Sequence, residues 1–184
     1  MKIGLTIWLL AAFFIFSASS VQAGNAKLPD ACGDDKVKID IKLQKDHPAP
    51  ADPEPGKAQI FFIESSKKPM ALGCMGRCGN FTRYGVDGTW VGATKDNSHF
   101  MLSLDPGVHH LCAVQGKEIY AEALTVEAGK AYYFPASYNA EGTQYGDSKH
   151  PNYQIKSNVD FSLLTEDKGK YLVKVSDLSI ATMK

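Results

Sequence analysis

The side chains with the most reactive chemistry in this chain are four cysteines, Cys32, Cys74, Cys78 and Cys112, and the histidines His109 and His110 just ahead of the last of them. Where thiols are oxidised, four cysteines form two bridges in one of three connectivities, and spacing does not choose among the three. The preferred reading joins Cys74 to Cys78 across the glycine-rich turn Gly73 to Gly79, and Cys32 to Cys112, tying an N-terminal arm to a core strand. The longer bridge would contribute more, about 2–4 kcal/mol in the usual case, because it removes more freedom from the unfolded chain.

The same residues carry the ligand types of zinc, but zinc needs four that converge. On a strand His110 and Cys112 share one face while His109 points to the other, so disulfides with one partly buried histidine are the simpler account. Three residues separate Cys74 from Cys78 where a redox motif has two, and no histidine follows Cys78 as covalent haem attachment requires. Hydrolytic signals are weaker. No serine sits in a G-x-S-x-G elbow. Glu166 and Asp167 are adjacent and do not face each other on a helix, and Asp34 and Asp35 fall in a loop. No glycine cluster opens a helix to cradle phosphate. The sequence therefore assigns no catalytic residue, no cofactor and no metal ligand. Two alternatives stay open: a hydrolase using His110 near a core cysteine or carboxylate, and a periplasmic metal-binding protein using the Cys and His residues.

The compartment follows from the N-terminus. Lys2 precedes an uncharged run from Leu5 to Phe16, and small polar residues lead to Val21-Gln22-Ala23, the pattern of a secretory leader cut before Gly24. The run is too short for the twenty or so apolar residues that a bilayer core demands. Export, to a periplasm or beyond the cell, places all four cysteines where bridges persist. Twenty basic side chains balance twenty acidic ones, so no whole-molecule field favours nucleic acid, and none is expected as a partner. No spanning segment remains once the leader is removed.

The elements that must position these residues read as short strands. Val37, Ile39, Ile41 and Leu43 alternate with polar residues. Pro48, Pro50, Pro53 and Pro55 then make an extended connector, a weaker reading being a ligand for aromatic grooves. Ala58 to Ile63 is an apolar run, interrupted only by Gln59, suited to a strand buried on both faces. Phe81 to Val86 and Thr89 to Ala93 flank Asp87-Gly88, a pair suited to a type I′ hairpin. Phe100 to Leu104, a tight turn at Asp105-Pro106-Gly107, and Val108 to Gln115 follow. Ile119 to Glu127 and Ala131 to Ala136 bracket Ala128-Gly129, read as a further hairpin. Ser137 to Pro151 is polar and poor in pattern, hence a long surface loop, and Ile155 to Leu163 makes a final strand. After Thr165 a helix of one or two turns is expected, with Gly169 weakening it. Trp90, Tyr138, Tyr145 and Tyr153 are read as packing residues rather than a binding surface. The expected architecture is all-β, an antiparallel sandwich or open barrel of about eight strands with one short C-terminal helix. The chain divides into a signal peptide over 1–23, an arm over 24–56 with one strand and the Pro-rich linker, and a sandwich over 57–184.

Three segments carry a resemblance: Val86-Asp87-Gly88-Thr89-Trp90-Val91-Gly92-Ala93, Pro106-Gly107-Val108-His109-His110-Leu111-Cys112, and Glu127-Ala128-Gly129-Lys130-Ala131-Tyr132-Tyr133-Phe134. With Pro53-Glu54-Pro55-Gly56-Lys57-Ala58 upstream and Gly169-Lys170-Tyr171-Leu172-Val173 downstream, the chain resembles the bacterial exported family catalogued as domain of unknown function 2846 (DUF2846), from about Ala31 to Ser179. That resemblance implies a periplasmic or surface-associated β-rich domain and transfers no catalytic residue, because the family has no established activity. The expectation is an exported, non-catalytic protein that binds a protein or an envelope component.

Overall fold

The computed structural model describes residues 28–65, 81–116, 118–145 and 152–184, with backbone alone for the strands within 137–160. Eleven strands and one helix follow in order: β1 Ile39–Gln44, β2 Ala58–Glu64, β3 Thr82–Val86, β4 Thr89–Thr94, β5 Ser98–Leu104, β6 Gly107–Gln115, β7 Glu118–Val126, β8 Ala131–Pro135, β9 Ser137–Tyr145, β10 Asn152–Asp160, α1 Glu166–Val175 and β11 Asp177–Met183. Nine of the strands form a sandwich of a five-stranded sheet, ordered β1-β11-β5-β2-β8, and a four-stranded sheet, ordered β4-β3-β6-β7. β9 and β10 form a separate ribbon. The all-β sandwich expected from the strand spacing is the fold.

β2 explains why the architecture closes. All seven of its residues are buried. Alternate side chains point to opposite faces, so Ala58, Ile60 and Phe62 enter the core between the sheets, while Phe61 and Ile63 lie on the other face beneath α1. Phe62 is the hub of the inner core, with ring centroids 4.6 Å from Tyr84, 5.0 Å from Phe100 and 6.0 Å from Phe161. Leu111 and Ala113 of β6 and Phe134 of β8 complete that core.

The outer face of the four-stranded sheet is covered by the arm. Cys32 is bonded to Cys112 on β6, with Cα atoms 5.2 Å apart. Trp90 is 6% exposed, packs on that bridge and donates its indole N–H to the Asp34 carbonyl at 2.7 Å. The approach is close enough that a Cβ on Gly85 would meet the Ala31 carbonyl oxygen at 2.9 Å, which is why a glycine stands there. The arm is therefore joined to the sandwich both by this bridge and by β1, which pairs with β11 in the five-stranded sheet.

Three expectations from local pattern are corrected here. Ala128-Gly129 does turn the chain, with Gly129 at φ 75°, but β7 and β8 are not hairpin partners. β8 crosses to the other sheet and pairs in parallel with β2, from Gln59↔Ala131 to Ile63↔Pro135. Turn residues encode a reversal of direction, not the neighbour that the next strand finds. The segment read as a loop from Ser137 forms β9, which pairs with β10 from Ser137↔Asp160 to Tyr145↔Asn152. Its polar sequence has no apolar period to betray a strand. β11 has a weak hydrophobic alternation: Ser179 is buried, donating to the Ala93 carbonyl at 2.6 Å, while Ile180 is exposed, so only Ala181 and Met183 mark the inward face as apolar. By contrast Asp87 and Gly88 take φ of 50° and 82°, as the type I′ reading required.

The helix runs to ten residues, longer than one or two turns. Gly169 is what lets it dock. A Cβ there would lie 2.1 Å from Cγ of Tyr133, so the glycine seats the helix on β8. Gly169→Ala should gain about 1 kcal/mol of helix propensity and lose more to overpacking. The expected result is a net loss of about 1 kcal/mol or more in urea unfolding, and a stabilised variant would refute this docking.

Candidate functional site

A groove of about 720 Å³ lies on the outer face of the five-stranded sheet. Its floor is Gln59 and Phe61 of β2 with Ala131 and Tyr133 of β8, the outward residues of two strands paired in parallel. Phe61 and Tyr133 stack at 4.9 Å with their planes 9° apart, which makes the floor flat. One wall is α1, presenting Glu166, Lys170, Val173 and Lys174. Positions 166, 170 and 174 follow the i, i+4 spacing that brings side chains to one stripe of a helix. The other wall is the extended segment Ala49-Pro50-Ala51-Asp52-Pro53. Lys130, next to the Gly129 turn, stands in the lining with them.

The proline wall is fixed by two hydrogen bonds. Gln59 donates its side-chain amide to the Ala51 carbonyl at 3.1 Å. His47 donates through Nε2 to the carbonyl of Ser176, just past the end of α1, at 2.9 Å. The His47 ring also meets His99 edge-on at 4.9 Å. His99 is 1% exposed and donates from Nδ1 to the Ser176 hydroxyl at 2.9 Å, which in turn donates to the Leu172 carbonyl. Burial, with His47 beside it, pushes the His99 imidazole down to about 4, so it is neutral near pH 7. Since the unfolded chain binds the proton up to about pH 6.5, this group makes stability fall as pH drops from 6.5 towards 4.

The electrostatics of the groove are lopsided. Glu166 and Lys170 pair at 2.5 Å, and the hydrogen bond between them holds the carboxyl below and the ammonium above their ordinary values. Both are largely solvated, so the pair itself adds little stability. Lys130 and Lys174 have no ion-pair partner among the described residues. Burial pushes the Tyr133 phenol up, and Lys170 opposes that shift.

A second cluster gathers at the turns by β3 and β6. His109 engages both ring nitrogens, Nδ1 with Asp87 Oδ2 at 2.6 Å and Nε2 with the Asp105 carbonyl at 2.9 Å. Asp87 Oδ1 accepts the His110 backbone N–H at 2.8 Å, and His110 Nδ1 lies 3.8 Å from the same oxygen. Partial burial pushes the His109 imidazole down, but the bonds to Asp87 and to the Asp105 carbonyl outweigh it, and the net value is raised above 6.5. Partial burial also pushes the Asp87 carboxyl up, but its hydrogen bonds from His110 and His109 outweigh that, and the net value is lowered below 3.8. The raised histidine stabilises the fold below pH 6.5 and loses that contribution as pH rises through its folded value. The lowered carboxyl stabilises the fold above pH 3.8 and loses its contribution as pH falls through its folded value. Asp87→Asn keeps an acceptor for the His110 N–H and tolerates positive φ. The variant should be less stable than the parent between those two limits and should converge with it at either extreme. An unchanged His109 imidazole titration followed by NMR would refute this coupling.

These placements sort the residues singled out in the sequence. Cys32 and Cys112 are brought together; Cys74 and Cys78 lie outside the described residues. His110 stands exposed beside Asp87, and His109 points to the opposite face, as the strand alternation required. Cys112 is bonded to Cys32, so its sulfur offers neither a thiolate to a base nor a ligand to zinc. Among the described residues no three His, Cys, Asp or Glu gather around a common point suited to a metal, and no helix is long and apolar enough to cross a membrane. The groove itself went unread, because Lys130, Lys170, Lys174 and Gln59 belong to segments far apart in sequence and the prolines read as a connector. The one local signal was the spacing of Lys170 and Lys174.

Comparison with protein families, with curated proteins and with solved structures found no match to this chain.

Proposed function

We propose that this chain is an exported, non-catalytic binding module of the bacterial envelope that takes a protein or envelope component in the groove between α1 and the proline wall. The groove carries the proposal: it offers a flat floor, two fixed walls and polar groups around its lining, in a volume typical of ligand sites. Its polar side chains are three lysines opposed by Asp52 and Glu166, with Gln59, the Tyr133 phenol and His47, whose ring nitrogens are engaged by the Pro48 and Ser176 carbonyls. The clustered imidazole that pairs with a carboxylate, His109, has both ring nitrogens occupied within the fold and so lacks a free site for proton transfer. In this reading the leader is cut before Gly24, Cys74 pairs with Cys78, and the chain belongs with the DUF2846 family that its hairpins resemble.

Two measurements test it. The chain expressed with its leader should be recovered outside the cytosol starting at Gly24, with no titratable thiol when unfolded without reductant. It should also co-sediment with isolated envelopes. Recovery from cytosol with every thiol reduced would overturn the export reading, and failure to sediment would overturn the binding reading.

A further inference from the structure

We infer that the groove ligand is a small amphiphilic anion, an apolar chain ending in a carboxylate or phosphate head. This rests on the proposal that the groove is the binding site and names the class of ligand. The lining divides chemically. The apolar part of the lining is Pro50 and Ala51 on the wall and Ala131 on the floor, with Phe61 and Val173 buried beneath them. The charged side chains are Lys130, Lys170 and Lys174 against Asp52 and Glu166. Lys170 is ion-paired with Glu166 and Lys130 faces that carboxylate at longer range; Lys130, Lys174 and Asp52 form no ion pair among the described residues, so the lining carries one more positive than negative charge. Ammonium groups beside an apolar trough complement a ligand with the opposite charge and an apolar tail.

The two fixed walls favour this class over an extended peptide. Pro50 and Pro53 have no N–H to donate, and Gln59 already occupies the carbonyl of Ala51, so the wall offers few backbone partners to a peptide strand. On β8 the Tyr133 carbonyl already accepts the Leu164 N–H at 2.9 Å, which closes that point of the sheet edge. What the groove leaves available is apolar contact and a small excess of positive charge.

The test uses the whole exported chain, titrated by calorimetry with decanoate, decyl phosphate, decyl glucoside and inorganic phosphate. Both decyl anions should bind, with the glucoside and inorganic phosphate at least tenfold weaker. The double variant Lys130→Gln/Lys174→Gln alters exposed side chains and should fold as the parent by circular dichroism, yet weaken decanoate about tenfold, a difference of about 1.4 kcal/mol. Amide shifts at Ala51 and Val173 on adding decanoate should locate the ligand in the groove. Equal binding of the neutral glucoside, unchanged affinity in the double variant, or shifts confined elsewhere would each overturn the assignment. Binding of inorganic phosphate as tight as decyl phosphate would mark a free-anion site and overturn it too. A parent chain that sediments with envelopes but ignores decanoate overturns the ligand class alone. One that binds decanoate but does not sediment overturns the envelope reading alone.

Discussion

Breaking the Cys32–Cys112 bridge lowers the free energy of unfolding by about 4 kcal/mol. The two cysteines are 80 residues apart, so the bond restricts a long loop of the unfolded chain, where cross-links remove most freedom. Its loss also acts on the native side, because Cys112 is fully buried and Cys32, Trp90 and Val114 pack around it. Against a typical total of about 5–15 kcal/mol, that loss leaves a marginal fold. The measurement is urea unfolding of the parent with and without reductant, beside Cys32→Ala/Cys112→Ala. Trp90 supplies the signal, since Trp8, the other tryptophan, lies in the expected leader. Freeing the arm should expose the indole and shift its emission to the red. An unfolding midpoint indifferent to reductant, with emission unchanged, would show that the arm is held by packing and β1 pairing alone.

Phe62→Ala is expected to cost about 4 kcal/mol, within the range for emptying a buried phenylalanine site. Phe62 is fully buried on β2, and its ring meets Tyr84 and Phe100 from the two sheets and Phe161 beyond β10. Removing it opens a cavity at the point where both sheets depend on one side chain, and also forfeits ring pairings of about 0.5–1.5 kcal/mol each. Its sequence neighbour provides the control. Phe61 faces the opposite way, stacked on Tyr133 beneath the groove, so Phe61→Ala should perturb the groove and the seat of α1 more than the inner core. The check is equilibrium unfolding of both variants together with near-ultraviolet circular dichroism, which reports the packed aromatic cluster. A Phe62→Ala variant as stable as the parent, with that signal intact, would contradict a core centred on this ring.

The two predictions locate stability in different parts of the sandwich: the bridge secures the outer face of the four-stranded sheet, and Phe62 secures the space between the sheets. The groove lies on the third surface, outside the five-stranded sheet, where α1 and the proline wall stand apart over β2 and β8. Lys130 and Lys174 on that surface are exposed and form no ion pair among the described residues. That separation is why Lys130 and Lys174 can be replaced as a test of binding without a large expected change in stability.

The sequence alone determined what short windows of chain control. The run Ala58 to Ile63, apolar but for Gln59, pointed to a strand covered on both sides, and Asp87-Gly88 supplied the two positive φ values that its turn needs. Thr165 with Glu166 and Asp167 marked where a helix begins, and the position of Cys112 on a core strand made a bond to the arm reasonable. Tertiary structure alone decided which sheet each strand joins, that β11 inserts between β1 and β5 with Ser179 inward, and that Gly169 meets Tyr133. It also created the groove, whose lining is drawn from His47 to Lys174. The physical reason is range: backbone preference and hydrophobic period act over a few residues, whereas sheet partners and cavities are settled by packing between segments that meet only once the chain has folded.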